Sequence, residues 1–292
     1  ESAFIAFDPD NPEVVYGGTY QGNISSWTKS SRAQKAIKQY PELGLSIAPK
    51  DSKYRYNWNA PIISSPHNRK TIYHAGNVVF KTTDEGMTWT TVSPDLTKNE
   101  VDKHGPGGGP YTNEAAGGEN YNTITALVES QHEEGVLYAG TDDGLLHITK
   151  NGGGNWQNIT PPGISDGIIN SIDISEHDPA VAYVVVMRYK SLDLNSYIFK
   201  TKDYGNTWTK IINGLDDPKL AEHVPDNLLE KLREDLGNRI KVVDWVQAGN
   251  VLEDAALLVN TTSLGMVGKQ ELRVPLDGLQ PQTIVCDLVY TP

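Results

Sequence analysis

From residue 1 to about 215, short apolar runs alternate with turn-forming clusters, and helical periodicity is scarce. The apolar positions follow the two-residue period of half-buried strands. An apolar strand, a polar turn and a second strand containing Tyr recur four times. They read Phe4-Ile5-Ala6-Phe7 to Val14-Val15-Tyr16, Ile62-Ile63-Ser64 to Thr71-Ile72-Tyr73, Ile124-Thr125-Ala126-Leu127-Val128 to Val136-Leu137-Tyr138, and Ile172-Asp173-Ile174 to Val181-Ala182-Tyr183. Asp8-Pro9-Asp10-Asn11-Pro12, Pro66-His67-Asn68 and His177-Asp178-Pro179 supply the turn at the same place. A third strand is expected after each Tyr strand.

Three of the four units then enter a specific hairpin: Thr82-x-Asp84-x-Gly86-x-Thr88-Trp89, Thr149-x-Asn151-x-Gly153-x-Asn155-Trp156 and Thr201-x-Asp203-x-Gly205-x-Thr207-Trp208. This is the Asp-box pattern. A short carboxylate or amide accepts hydrogen bonds from the turn's own backbone, Gly takes the positive-φ position and Trp packs over the hairpin. One copy would say little, but three in phase with a strand repeat predict four-stranded blades of a β-propeller. The spacing is irregular, 67 residues from Trp89 to Trp156 and 52 from Trp156 to Trp208, and the difference falls in loops.

The rest of the chain obeys another pattern. Asp226 to Gly237 has a capping residue, leucines on one face and a terminal Gly, which predicts a helix. Arg239 to Trp245, Ala256 to Asn260 and Thr283 to Tyr290 read as strands, with Leu252 to Ala255 ending a short helix. That alternation implies parallel α/β packing. The expected division is 1–215 for the blades and 216–292 for the α/β segment. Charge does not separate them, with 18 basic against 24 acidic residues before the joint and 7 against 13 after it.

Composition narrows the partners. A net charge of −12 over 292 residues disfavours a nucleic-acid backbone or an anionic membrane surface. No aliphatic run approaches the roughly 20 residues of a membrane span. The opening Glu1, without Met or an apolar leader, suggests a removed signal peptide or an excised piece. A single cysteine, Cys286, excludes an internal disulfide framework and a multi-cysteine metal site.

Longer phrases carry two resemblances. Tyr54-Arg55-Tyr56-Asn57-Trp58-Asn59-Ala60-Pro61-Ile62, Tyr73-His74-Ala75-Gly76-Asn77, Ser93-Pro94-Asp95-Leu96-Thr97 and Gly140-Thr141-Asp142-Asp143-Gly144 resemble bacterial relatives of the sortilin-type Asp-box (BNR) propellers, which are glycosyl-hydrolase-like. That family implies an extracytoplasmic location, secreted or periplasmic, and propellers of more than four blades. Leu258-Val259-Asn260-Thr261-Thr262-Ser263-Leu264-Gly265-Met266 and Val285 to Pro292 resemble the nicotinamide-side half of shikimate dehydrogenase, which by itself would imply the cytoplasm. That resemblance implies vestigial cofactor contacts at Asn260, Thr261, Ser263, Met266 and Tyr290. No Gly-x-Gly-x-x-Gly follows a strand, and the family's catalytic Lys and Asp have no counterpart, so neither a cofactor nor dehydrogenase activity is expected. The fold class expected is mainly β, a partial propeller of about four blades followed by a small half-Rossmann segment. Both modules look incomplete at a joint near Gly214 to Leu220, as in a chimera or misassembled chain.

Blade geometry sorts the candidates by face. Hairpins between third and fourth strands lie on one face. Second-to-third loops and the connections between units lie on the other. The second face gathers Tyr54, Arg55, Tyr56, Trp58, Asn59, Asn77, Asp142 and Arg188, a set suited to a peptide or glycan. Asp84, Asn151 and Asp203 are expected to be structural. Asp142, Asp143, Asp95 and Glu119 are the carboxylates available to a glycosidase alternative, which needs two of them across the substrate. Asp142 and Asp143 point oppositely on one strand end and cannot be that pair alone. No metal site is expected, because His74 and His147 lack ligand spacing. The leading expectation is a binding module without catalysis that can self-associate through open sheet edges.

Overall fold

The computed structural model describes residues 4–7, 12–42, 47–68, 70–105, 120–212, 252, 257–260, 280 and 284–287. The chain divides into two compact units, Glu1–Ile211 and Ile212–Pro292.

The first unit holds four antiparallel four-stranded sheets, each built from consecutive strands. Sheet 1 contains β1 (Ile5–Phe7), β2 (Val14–Thr19), β3 (Asn23–Thr28) and β4 (Ala33–Ala36). Sheet 2 contains β5 (Ile62–Ser64), β6 (Ile72–Ala75), β7 (Val79–Thr82) and β8 (Thr90–Thr91). Sheet 3 contains β9 (Ile124–Glu129), β10 (Leu137–Thr141), β11 (Leu146–Thr149) and β12 (Gln157–Asn158). Sheet 4 contains β13 (Ile168–Ile174), β14 (Ala182–Arg188), β15 (Asp193–Thr201) and β16 (Thr209–Lys210). The first strands neighbour one another in chain order, β1 beside β5, β5 beside β9 and β9 beside β13. The arrangement is propeller-like. No sheet borrows a strand from another, so among the described residues no ring is closed by strand exchange.

Three apolar layers lie between successive sheets. Tyr16, Ile24 and Ile37 of sheet 1 meet Ile62 and Ile72 of sheet 2. Tyr73 and Val79 of sheet 2 meet Leu127 and Leu137 of sheet 3, and Tyr138 and Leu146 of sheet 3 meet Ala182, Val184 and Phe199 of sheet 4. Inner sheets are covered on both faces, so β6 and β10 are buried at every position. The outer sheets are covered on one face, and β14 alternates accordingly.

The hairpins are satisfied from within. Thr82 Oγ1 donates to Asp84 Oδ1 at 2.8 Å and accepts from the Gly86 N–H at 2.9 Å. Asp84 also accepts from the Thr88 N–H at 2.8 Å and the Thr88 hydroxyl at 2.6 Å. The bonds around Asp203 repeat this scheme, and those around Asn151 do so except that its Nδ2 donates to Asn155 Oδ1.

The Trp side chains do more than cover their own turns. Each indole N–H crosses to a carbonyl of the preceding sheet: Trp89 to Ile37 at 2.8 Å, Trp156 to Val92 at 2.9 Å and Trp208 to Ile159 at 2.7 Å. The hairpin glycine approaches that same residue. A Cβ on Gly153, at φ +100°, would lie 2.1 Å from the Val92 carbonyl oxygen. Glycine is therefore required there twice over, by φ and by space. The motif seats one sheet on the next as well as closing a turn.

In the second unit β17 (Leu257–Asn260) and β18 (Ile284–Asp287) pair in parallel, from Leu257 opposite Ile284 to Asn260 opposite Asp287. They coincide with two of the strands expected from the sequence. Two strands do not make a Rossmann half. The expected helix at 226–237 and strand at 239–245 lie outside the described residues, as does the end of the short helix at 253–255.

Candidate functional site

On the face opposite the hairpins, connections from three sheets form a cleft of about 380 Å³. Asn57, Trp58 and Asn59 line it from the connection before sheet 2, and Asn120 and Tyr121 from the connection before sheet 3. Thr125 of β9 and Asp142 after β10 follow, then Ile168, Asn170, Met187, Tyr189 and Lys190 from sheet 4, with Phe4 completing the wall. Trp58 stacks on Tyr20 with ring centroids 5.6 Å apart, which fixes the plane of the indole. The buried Asn120 Oδ1 has no hydrogen-bond partner among the described residues. An unpaired buried amide oxygen is costly and suits a ligand donor.

Asp142 is the carboxylate of this wall. It accepts from the Thr123 N–H and the Thr123 hydroxyl, both at 2.8 Å, and from Asn57 Nδ2 at 3.5 Å. Burial pushes its carboxyl up to about 7; the Thr123 N–H draws it down and the neighbouring Asp143 raises it further.

Asp143, fully buried, turns the other way. It accepts from the Lys98 N–H at 2.8 Å, from Asn122 Nδ2 and from the Thr141 hydroxyl. Asn122, at φ +57°, also accepts from the Glu100 N–H at 3.0 Å and lies 2.7 Å from His104 Nε2. This network pins the 95–105 connection to sheet 3.

Arg55 and Asp95 form an ion pair at 2.7 Å, with Asn77 Nδ2 donating to the same carboxylate oxygen at 2.9 Å. Burial raises the Asp95 carboxyl, but donation from Thr97, Asn77 and Arg55 outweighs it and holds the group below its ordinary range. Arg55, Asn77 and Asp95 are thus engaged with one another and do not line the cleft. Tyr54 and Tyr56 pack with Phe80, and Tyr56 stacks on His74 at 5.5 Å. Arg188 lies beside the cleft residues Met187 and Tyr189, where Asp166 and Asp193 hold its guanidinium. Of the eight ligand-binding candidates, Trp58, Asn59 and Asp142 therefore line the cleft. Asp84, Asn151 and Asp203 lie in the hairpins.

Asn260 lies in β17, while Glu119, Thr261, Ser263, Met266 and Tyr290 are outside the described residues. The sequence did not single out Asn57, Asn120, Asn170, Tyr189 or Lys190. Asn57, Asn120, Tyr189 and Lys190 had only their position near Trp58, Tyr121 and Arg188 as a signal, and Asn170, inside β13, had none. Among the described residues no cluster of His, Cys, Asp and Glu could hold a metal ion, and no helix is long and apolar enough to cross a membrane.

No family model matches the chain. Over 63 residues, 22% of the chain, it is 64% identical to a shikimate dehydrogenase (NADP(+)) of Cereibacter sphaeroides and 57% identical to that of a Ruegeria species. The chain spans 23% of the length of these relatives. Among solved structures, an ancestral GH74 enzyme aligns over 71% of this chain and 23% of its own at 15% identity and a TM-score of 0.46. A GH74 xyloglucanase from Xanthomonas campestris aligns over 72% of this chain and 38% of its own at 15% identity and a TM-score of 0.35.

Proposed function

We propose that the first unit is a binding module, part of an Asp-box propeller of the sortilin type, whose cleft takes an extracellular glycan or an extended peptide. The supporting observation is the cleft wall itself: aromatic rings at Trp58, Tyr121 and Tyr189 interleaved with the amides of Asn57, Asn59, Asn120 and Asn170. Aromatic planes with amides between them suit a neutral polar ligand that is apolar on one face and hydroxylated at its edges. Glycan-array binding followed by calorimetry, with product release measured alongside, tests this reading. Saturable binding without turnover supports it, and absence of binding to every glycan and peptide probe would sink it.

A glycosidase reading rests on Asp142, whose carboxyl at about 7 suits a general acid. Hydrolysis also needs a second carboxylate across the substrate. Asp142 is the sole carboxylate among the described residues of the wall. Release of reducing ends that Asp142→Asn abolishes would favour this alternative.

For the second unit we propose a remnant of an NADP-dependent dehydrogenase, joined to the propeller part as in a chimera. The Asn260 loop alone would supply one or two hydrogen bonds, each a net of about 0.5–1.5 kcal/mol. That falls short of the several kcal/mol needed to order a dinucleotide. Calorimetry at millimolar NADP is expected to register no binding. An extracytoplasmic location fits the propeller part, and fractionation of expressing cells would test it.

A further inference from the structure

The cleft has two aromatic flanks, and they are held in different ways. On one, Trp58 stacks on Tyr20, which opens the turn Tyr20–Gly22 between the second and third strands of sheet 1. On the other, Tyr189 opens the turn Tyr189–Ser191 at the same place in sheet 4 and lines the cleft together with Lys190. Tyr189 is half exposed, so the backbone beneath it, more than packing, sets where its ring stands. That backbone is strained. Leu192 closes the turn by donating its N–H to the Tyr189 carbonyl at 3.0 Å, and it does so at φ +59° while 92% exposed. A left-handed leucine persists only where its surroundings over-determine the chain.

Arg188 supplies that constraint. Its Nε donates to Asp166 Oδ1 at 2.8 Å, one Nη donates to the same oxygen, and the other donates to Asp193 Oδ2 at 2.6 Å. The second oxygen of Asp166 accepts from the Ser191 hydroxyl at 2.9 Å. The two ends of the turn are thus tied to one carboxylate, which lies in the connection before sheet 4.

That connection also abuts the opposite lip. A Cβ on Gly144, at φ +91°, would lie 2.9 Å from the Asp166 backbone, so Asp166 packs against the turn that carries Asp142 and Asp143. Lys98 braces the same joint, donating its ammonium to the Ser165 carbonyl and its N–H to Asp143 at 2.8 Å.

We infer that Arg188 is a positioning residue of the cleft, whose fork on Asp166 sets the Tyr189–Lys190 lip against Asp142. Its consequence for ligands rests on the binding role proposed above: the width of the cleft follows from this ion pair as well as from the side chains that line it. Lysine would keep the charge at 188 and lose the fork. Two charged groups act on Asp142, namely Asp143 of its own turn, which raises its carboxyl, and Lys190 of sheet 4, which lowers it. Lys190 therefore reports the position of the lip with no ligand bound.

The test titrates the Asp142 carboxyl by carbon NMR in the full chain without ligand. Lys190→Ala is expected to raise the midpoint, and Arg188→Lys to raise it by a comparable amount. The double variant should shift it no further than Lys190→Ala alone. A role confined to stability would lower the Tm and leave the midpoint in place, and that result overturns the inference. So does a Lys190→Ala variant whose midpoint stays at the parent value. Should Arg188→Lys fail to fold, Ser191→Ala withdraws one hydrogen bond from Asp166 and must move the midpoint upward by a smaller amount. Affinity is read separately, by calorimetry with cellotetraose and chitotetraose. For a probe that the parent binds, Arg188→Lys should cost about as much as Tyr189→Ala, on the order of tenfold, and the double variant no more than either. Additive losses overturn the inference. Binding of neither probe counts against the glycan reading of the cleft, and the midpoint then decides the role of Arg188 alone.

Discussion

The two ends of the sheets treat the same side chain in opposite ways. At the hairpin end Asp84 and Asp203 are half-buried and accept hydrogen bonds from their own turn, foremost from the hydroxyls of Thr88 and Thr207, so their carboxyls fall below the ordinary range. At the cleft end Asp142 also accepts three hydrogen bonds, but it is withdrawn from water, and burial lifts it to about 7. One end satisfies itself within eight residues. The other leaves a buried Asn120 oxygen without a partner among the described residues and a carboxyl raised by burial. A surface that completes its own hydrogen bonds supports structure, and one that leaves some unmade has something to offer a ligand.

The contrast breaks first at the clasp. Trp156→Ala should destabilise the chain by about 3 kcal/mol, near the lower bound for losing a large aromatic, because packing and the bond to the Val92 carbonyl go together. Denaturant unfolding measures this, and affinity for any cleft ligand should be unchanged where the variant is folded. A loss under about 0.5 kcal/mol would mean that the hairpins do not join the sheets.

Asp142→Asn should act through pH. A carboxyl whose folded pKa is raised stabilises the protein at low pH, and that contribution fades as pH rises through the folded value. The parent should therefore lose Tm between about pH 4 and 7 relative to Asp142→Asn, with no further divergence above pH 8. Parallel Tm curves for the two proteins across that range would refute the burial of this group.

Trp58→Ala removes the stacked platform, and we expect about a tenfold loss of glycan or peptide affinity, or 1.4 kcal/mol, at nearly constant Tm. Unaltered affinity would move the site away from the cleft.

The smallest effect belongs to Asp203→Ala, a Tm loss of a few degrees with unchanged ligand affinity. Because the folded pKa is depressed, that stabilisation is present above the ordinary carboxylate range and is lost as pH falls through the folded value. The variant and the parent should therefore converge in acid. Abolished binding at constant Tm would reverse the assignment of the two ends.

How far each end could be read from the sequence follows from the span of its contacts. In the hairpin Thr201-x-Asp203-x-Gly205-x-Thr207 every partner lies within six residues, so spacing alone implies the bonds. Trp208 was legible as a hairpin residue, but its bond to Ile159 spans 49 positions and depends on how two sheets abut. The cleft is further out of reach. It joins Asn57, Asn120, Asp142, Asn170 and Tyr189, and nothing in their local sequence separates these asparagines from ordinary turn residues.

By itself the sequence determined the four strand units, the hairpins that close three of them and the change of pattern after about residue 215. These rest on period, turn chemistry and side-chain-to-backbone bonds between near neighbours. Only the tertiary structure decided which carboxylate faces the cleft and which is locked inward at Asp143 and Asp95. Those outcomes depend on desolvation and on donors brought from 18 to 85 residues away, such as Asn77 to Asp95 and Asn57 to Asp142, and no local pattern encodes that proximity.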